Sequence, residues 1–279
     1  MALTRAARIG ALITALLVAI GLGVGIGVLV SSSGPTAIGP SEQPSRSHGP
    51  SGRPTKSPKP SPAAVAIPAK DFKPYTWGYI GCSNTHDTIS GYHLASDTAH
   101  LFWPFDRYHI EGMSVPHWIE PNSRAWIQYE HMTMRFNGGN DPPVIWVQMC
   151  VDLNMREPNY GPIDFNDVVT MLQLVRQHAP NSIVFVSPLQ SYDPPTLCAK
   201  MGPDGAEIPT MMQWLHRAVA MGLAYPGPGV DGITNLGPLT SKTVIADGCH
   251  PSGFPHPPGP GSVFLGKQLA GFFDHLPRA

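Results

Sequence analysis

Tyr75-Thr76-Trp77-Gly78-Tyr79-Ile80-Gly81-Cys82-Ser83-Asn84-Thr85 is the stretch on which the fold turns. An apolar run meets a glycine and passes at once into residues that start helices. It predicts a core strand from Tyr75 to Cys82 and a short helix through Tyr92. The pattern then repeats. His100 to Val115 is aromatic and loop-like. Ser123 to Phe136 has helical spacing and stops at Asn137-Gly138-Gly139-Asn140-Asp141-Pro142-Pro143. Val144 to Met149 and Ile183 to Val186 are short apolar runs of the kind found in buried parallel strands. Asp164 to His178 is an amphipathic helix with Val168, Met171, Leu172 and Val175 on one face. Ile208 to Leu223 and Ser262 to His275 read as further helices. Helices alternating with buried strands predict an α/β layered fold with a mostly parallel sheet.

The chain upstream has a different composition. Arg5 and Arg8 precede an uncharged run of 22 residues from Ile9 to Val30, long enough to span a bilayer, which needs roughly 20 apolar residues. Residues 1–30 are therefore expected to form a transmembrane anchor. Cleavage as a signal segment near Val30-Ser31-Ser32-Ser33 is the alternative. Residues 31–69 hold nine prolines and many serines, a composition that cannot bury a core and predicts a disordered, extended linker. Residues 70–279 are left as one domain, placed outside the cell membrane by the positive flank of the apolar run, or secreted if that run is cleaved.

Charge narrows the function. Residues 1–69 carry six Lys/Arg and one acid, Glu42; residues 70–279 carry twelve Lys/Arg and eighteen acids. A mildly acidic domain lacks the basic footprint of a nucleic-acid binder. The basic tail suits either an anionic membrane surface or a solvated linker.

Two stretches carry chemistry. In Gly81-Cys82-Ser83-Asn84-Thr85 a serine sits at a strand-to-helix turn, where its hydroxyl is exposed and neighbouring N–H groups can face an oxyanion. In Asp247-Gly248-Cys249-His250-Pro251-Ser252, just before the last helix, a carboxylate lies three residues from a histidine in a glycine-containing turn. A serine hydroxyl needs a base to take its proton. Histidine is that base when a carboxylate fixes its tautomer. Each motif alone has a plainer reading, the first as a helix cap and the second as a surface turn.

Together, the Gly-x-Ser-x-Thr near one end of the domain and the Asp-x-x-His-Pro near the other resemble the first and last sequence blocks of the SGNH/GDSL hydrolases. The resemblance spans residues 75–275, with motif-grade matches at its two ends. It implies a three-layer α/β/α flavodoxin-like sandwich, with Ser83 as nucleophile, His250 as base and Asp247 as its partner. It also implies an oxyanion hole made by the Ser83 N–H, a glycine N–H placed at Gly112, and an asparagine side chain. The middle departs from the family pattern. Cys82 stands where the family has Asp. Gly138-Gly139-Asn140-Asp141 spells the family's Gly-x-Asn-Asp but precedes a strand instead of following one, so Asn140 reads as a turn residue. After the strand Val144–Met149, Cys150 takes the place of the glycine and Asp152 that of the asparagine. Asn154 is the preferred donor.

The resulting expectation is an extracytoplasmic serine esterase or deacylase acting on an acylated small molecule, glycan or lipid, without metal or organic cofactor. A catalytically weak binding module or an acyltransferase of the same fold are the alternatives. Specificity is expected in loops 100–118, 188–207 and 251–261.

Cys82, Cys150, Cys198 and Cys249 suit two disulfides in an oxidising compartment, with free buried thiols the alternative. Contact between Ser83 and His250 would bring their preceding residues together, so Cys82–Cys249 and Cys150–Cys198 are the expected pairs. No CxxC or zinc-type spacing is present. His86, His93, His100, His109 and His117 read first as packing or surface residues. Trp77, Trp103, Trp118, Trp126 and Trp146 read as core, with Trp103 or Trp118 the ones placed to stack on a ligand.

Overall fold

A computed structural model describes residues 65–96, 100–104, 113–151, 163–198, 207–246, 248–252 and 259–279. Besides two short 3-10 turns, six α-helices and six strands follow one another along the described chain: β1 Gly78–Ile80, α1 Ser83–Ala95, α2 Val115–Trp118, α3 Arg124–Asn137, β2 Val144–Met149, α4 Phe165–His178, β3 Ile183–Pro188, β4 Tyr192–Asp193, α5 Glu207–Ala220, β5 Tyr225–Pro226, β6 Leu239–Thr240 and α6 Pro260–Phe273. The fold is α/β with a parallel sheet.

Two corrections concern the ends of this domain. Among the described residues no helix is long and apolar enough to cross a membrane. The expected transmembrane helix is thus not found among them, and it is not carried further; residues 9–30 lie outside the described ones. The domain also reaches further back than residue 70. Ile67 is fully buried and bridges Arg278 in parallel. Its N–H donates to the Pro277 carbonyl at 2.8 Å, and the Ala69 N–H donates to the Ala279 carbonyl at 3.0 Å. Residues 65–69 therefore belong to the fold, not to the linker, because their backbone is satisfied by the C-terminus.

The main sheet runs β1-β2-β3-β5 with all pairs parallel. The β2 run Val-Ile-Trp-Val-Gln-Met is buried at every position, as a central strand covered on both faces must be. Beyond β1, on the edge that β2 does not occupy, Phe102 bridges Trp77 in parallel. The chain thus leaves β1 toward one side of the sheet, comes back past Phe102, and crosses to the other side of β1 to enter β2. The connections on the two sides of β1 thus diverge between β1 and β2, the kind of switch point at which parallel α/β sheets bind ligands beyond the carboxyl ends of their strands.

The helices begin and end for local reasons. Asp164 caps α4, its carboxylate accepting from the N–H of Asn166 and Asp167, while Asp167 accepts from the Asp164 N–H. Helix α3 stops at Gly138, whose φ of 61° is left-handed. Helices α1 and α6 cross with backbones in contact. A Cβ on Gly91 would overlap the Ser262 carbonyl, and one on Gly266 would overlap the Gly91 backbone. The end of α6 is held to α1 by Asp274, which accepts from the hydroxyls of Tyr92 and Ser96, each at 2.7 Å. The Phe273 ring packs against Trp77, Phe102, Trp146 and Phe185, so α6 seals one face of the sheet and α1 is fixed against it.

Candidate active site

Ser83 is the first residue of α1, directly after the turn that leaves β1. The geometry of that turn is local. A Cβ on Gly81 would overlap the Thr85 hydroxyl, so only glycine lets Thr85 fold back. The Thr85 Oγ1 then accepts from the Cys82 N–H at 3.0 Å, closing the first helical turn. Trp118 donates from Nε1 to the Gly81 carbonyl at 3.2 Å and to the Met113 carbonyl at 3.1 Å. The first N–H groups of a helix have no partner within it, and here they open at the carboxyl edge of the sheet.

His250 comes from a separate loop. The Ile245 N–H donates to the His250 carbonyl at 3.0 Å, and the Ser252 N–H donates to the Thr243 carbonyl at 2.7 Å; Val244 and Pro251 form an antiparallel bridge. Gly248 has φ 73°, and a Cβ there would overlap the Leu197 carbonyl. The Ser252 hydroxyl accepts from the Gly261 N–H at 2.8 Å, tying the loop to the start of α6.

These two turns, 167 residues apart in sequence, bring Ser83 Oγ to 3.0 Å from His250 Nε2. Both side chains are half-buried, enough to order them and still leave them reachable. With the imidazole proton on Nδ1, the hydroxyl donates to Nε2, the arrangement a general base requires. Asp247, Gly112, Asp152 and Asn154 lie outside the described residues. Asn140 is exposed and donates to the Asn137 carbonyl at 2.9 Å, closing the turn after α3.

The disulfides differ from expectation. They join Cys82 to Cys150 and Cys198 to Cys249, not Cys82 to Cys249 and Cys150 to Cys198. The parallel register explains the first: Ile80 stands opposite Val147, so the chain just past β1 and the chain just past β2 emerge side by side, with Cα atoms of Cys82 and Cys150 5.9 Å apart. The second follows from the small sheet in which Tyr192 pairs with Leu239, which carries the segment after β4 under the His250 loop. Ser83 and His250 meet, but the residues before them point along different strands.

The tryptophans Trp77, Trp103, Trp118, Trp126 and Trp146 are all essentially fully buried, so neither Trp103 nor Trp118 presents a ring to a ligand. His86 is buried 3.8 Å from Asp87. His93 Nδ1 lies 3.4 Å from His100 Nδ1, and His117 lies 3.3 Å from the Ser114 hydroxyl. His109 is outside the described residues.

Sequence reasoning missed the polar chain beneath the pair. Gln148 and Gln190 are both fully buried. Thr85 donates to Gln148 Oε1 at 2.8 Å. Gln148 donates to Gln190 Oε1 at 3.4 Å. Gln190 Nε2 donates to Asn84 Oδ1 at 2.8 Å and to the Tyr192 hydroxyl at 2.9 Å. Tyr192 donates to the Cys249 carbonyl at 2.8 Å. The one available signal was Gln148 itself, a polar residue inside an otherwise apolar strand.

Among known proteins, no family model, curated protein or solved structure matches the chain.

Proposed function

We propose that this protein is a serine esterase or deacylase of the SGNH/GDSL type, with a flavodoxin-like three-layer domain. The observation that carries the proposal is the 3.0 Å approach of Ser83 Oγ to His250 Nε2 at the carboxyl edge of a parallel sheet, where such folds place their chemistry. Ser83 Oγ attacks the carbonyl carbon of an acyl ester while His250 Nε2 takes its proton. His250 then gives that proton to the departing alkoxide, leaving an acyl group on Ser83. Water, deprotonated by His250, releases the acid and restores the serine. Asp247, three residues before His250, is the proposed partner that fixes the imidazole tautomer. The Ser83 N–H at the head of α1 is the first oxyanion donor, with Gly112 and Asn154 completing the set. Two disulfides support an oxidising, extracytoplasmic setting. Treatment of the full chain with a fluorophosphonate probe should modify Ser83 and leave Ser83→Ala untouched; no Ser83-dependent labelling would overturn the hydrolase reading.

A further inference from the structure

We propose that Gln190 is a positioning residue that sets the Ser83–His250 distance, an inference that rests on the hydrolase reading above. Its one amide nitrogen donates to the side chain of Asn84, the residue after the nucleophile, and to Tyr192, whose hydroxyl donates to the carbonyl of Cys249, the residue before the base. On its other side the Gln190 carbonyl accepts from Gln148, which accepts from Thr85, which accepts from the Cys82 N–H. The two turns are thus joined beneath the reacting atoms by a one-way series of donors that leaves no freedom in the orientation of either amide.

Packing alone gives no reason for glutamine here. Gln148 lies in Val-Ile-Trp-Val-Gln-Met and Gln190 just past β3, both fully buried. A buried amide is costly unless its donors and acceptors are met, and an apolar residue of similar volume avoids that cost. What the amides supply is a fixed separation. The termini of the series bracket Ser83 on both sides, at Cys82 and Asn84, and touch the residue adjoining His250. Neither glutamine contacts the reacting pair, so both act through other residues.

The test uses the full chain, nitrophenyl acetate hydrolysis and fluorophosphonate labelling. Tyr192→Phe keeps the ring in its apolar surroundings of Cys198, Leu239, Cys249 and Leu265 and removes only the hydroxyl. It should lower kcat by about 10-fold with KM within about twofold. Gln190→Met should lower kcat by about 10²-fold, the scale of an ångström's misplacement. The double variant should be no slower than Gln190→Met, because both changes break one series. Measured well below each melting midpoint, these effects are not those of lost stability. Wild-type kcat and labelling rates in both variants, with only the melting midpoint lowered, would overturn the positioning role while leaving the hydrolase reading intact. Failure of the wild type to label at Ser83 would overturn the hydrolase reading and this inference with it. If Gln190→Met does not fold, Tyr192→Phe carries the test alone.

Discussion

The turn that bears Ser83 and the loop that bears His250 reach the same 3.0 Å contact by opposite routes. The serine turn is built from its own neighbourhood: Gly81 makes room for Thr85, Thr85 accepts from Cys82, and a 13-residue helix follows. The histidine loop closes on itself through the bonds of Ile245 to His250 and of Ser252 to Thr243, but it is held in place from a distance. Its outside anchors are Cys198, 51 residues before Cys249, the Tyr192 hydroxyl and the head of α6. The proposed nucleophile is presented largely by local chain chemistry, and the proposed base is brought to it by the rest of the domain.

Removing each disulfide should separate stability from activity. The loops they close are similar, with sequence separations of 68 and 51 residues, so chain entropy gives each about 4 kcal/mol. The pair change Cys198→Ser with Cys249→Ser should therefore cost about as much stability as Cys82→Ser with Cys150→Ser. It should cost far more activity, because the serine turn stays on its strand and helix, whereas the histidine loop keeps its own hairpin bonds but loses the covalent link that holds it in place. Urea melts and ester hydrolysis at a temperature where both variants are folded check this; equal activity losses would erase the distinction between the two turns.

Glycine substitutions probe the same contrast at about 1–3 kcal/mol. In Gly81→Ala the new Cβ meets the hydroxyl and the Cβ of Thr85, so the whole residue must shift, whereas in Gly248→Ala it meets the Leu197 backbone carbonyl from a left-handed φ of 73°. Gly248→Ala should be the more damaging in melting midpoint, and Gly81→Ala, which displaces Thr85 beside Ser83, should also lower kcat.

The smallest expected effect is one of pH. Burial holds the His93 imidazole below its ordinary value of 6.5; His100 beside it acts in the same sense, and the bond to the Trp103 carbonyl opposes. The unfolded chain then binds the proton more readily than the folded one, so the stability involved is complete above about pH 6.5 and is lost as pH falls below it. His93→Gln should flatten the fall in urea midpoint below pH 6.5. His178, also lowered by burial, retains part of the slope.

The legibility of the sequence follows this division between local and distant. Helix α4 shows its capping acids and apolar face in order, and β2 and β3 are apolar runs interrupted only by Gln148 and Ser187, so the alternation that defines the sheet can be read directly. Strands β4, β5 and β6 have two residues each, too few to show a period, and their pairing is decided by tertiary contact. Ser83 and His250 stand out because each follows a glycine and a cysteine in a turn ahead of a helix. Gln190 does not, because its meaning depends on Asn84, 106 residues away. The disulfides show the same limit: neighbouring the right residues in sequence did not place Cys82 beside Cys249, since strand register takes Cys82 to Cys150.

On the proposed function, these two turns together make one activated nucleophile. The most direct measurement is the rate of fluorophosphonate labelling at Ser83, located by peptide mass spectrometry, in the wild type and in His250→Ala. Rapid labelling is expected in the wild type and a loss of at least about 10³-fold in the variant; equal labelling rates in the two would overturn the proposal.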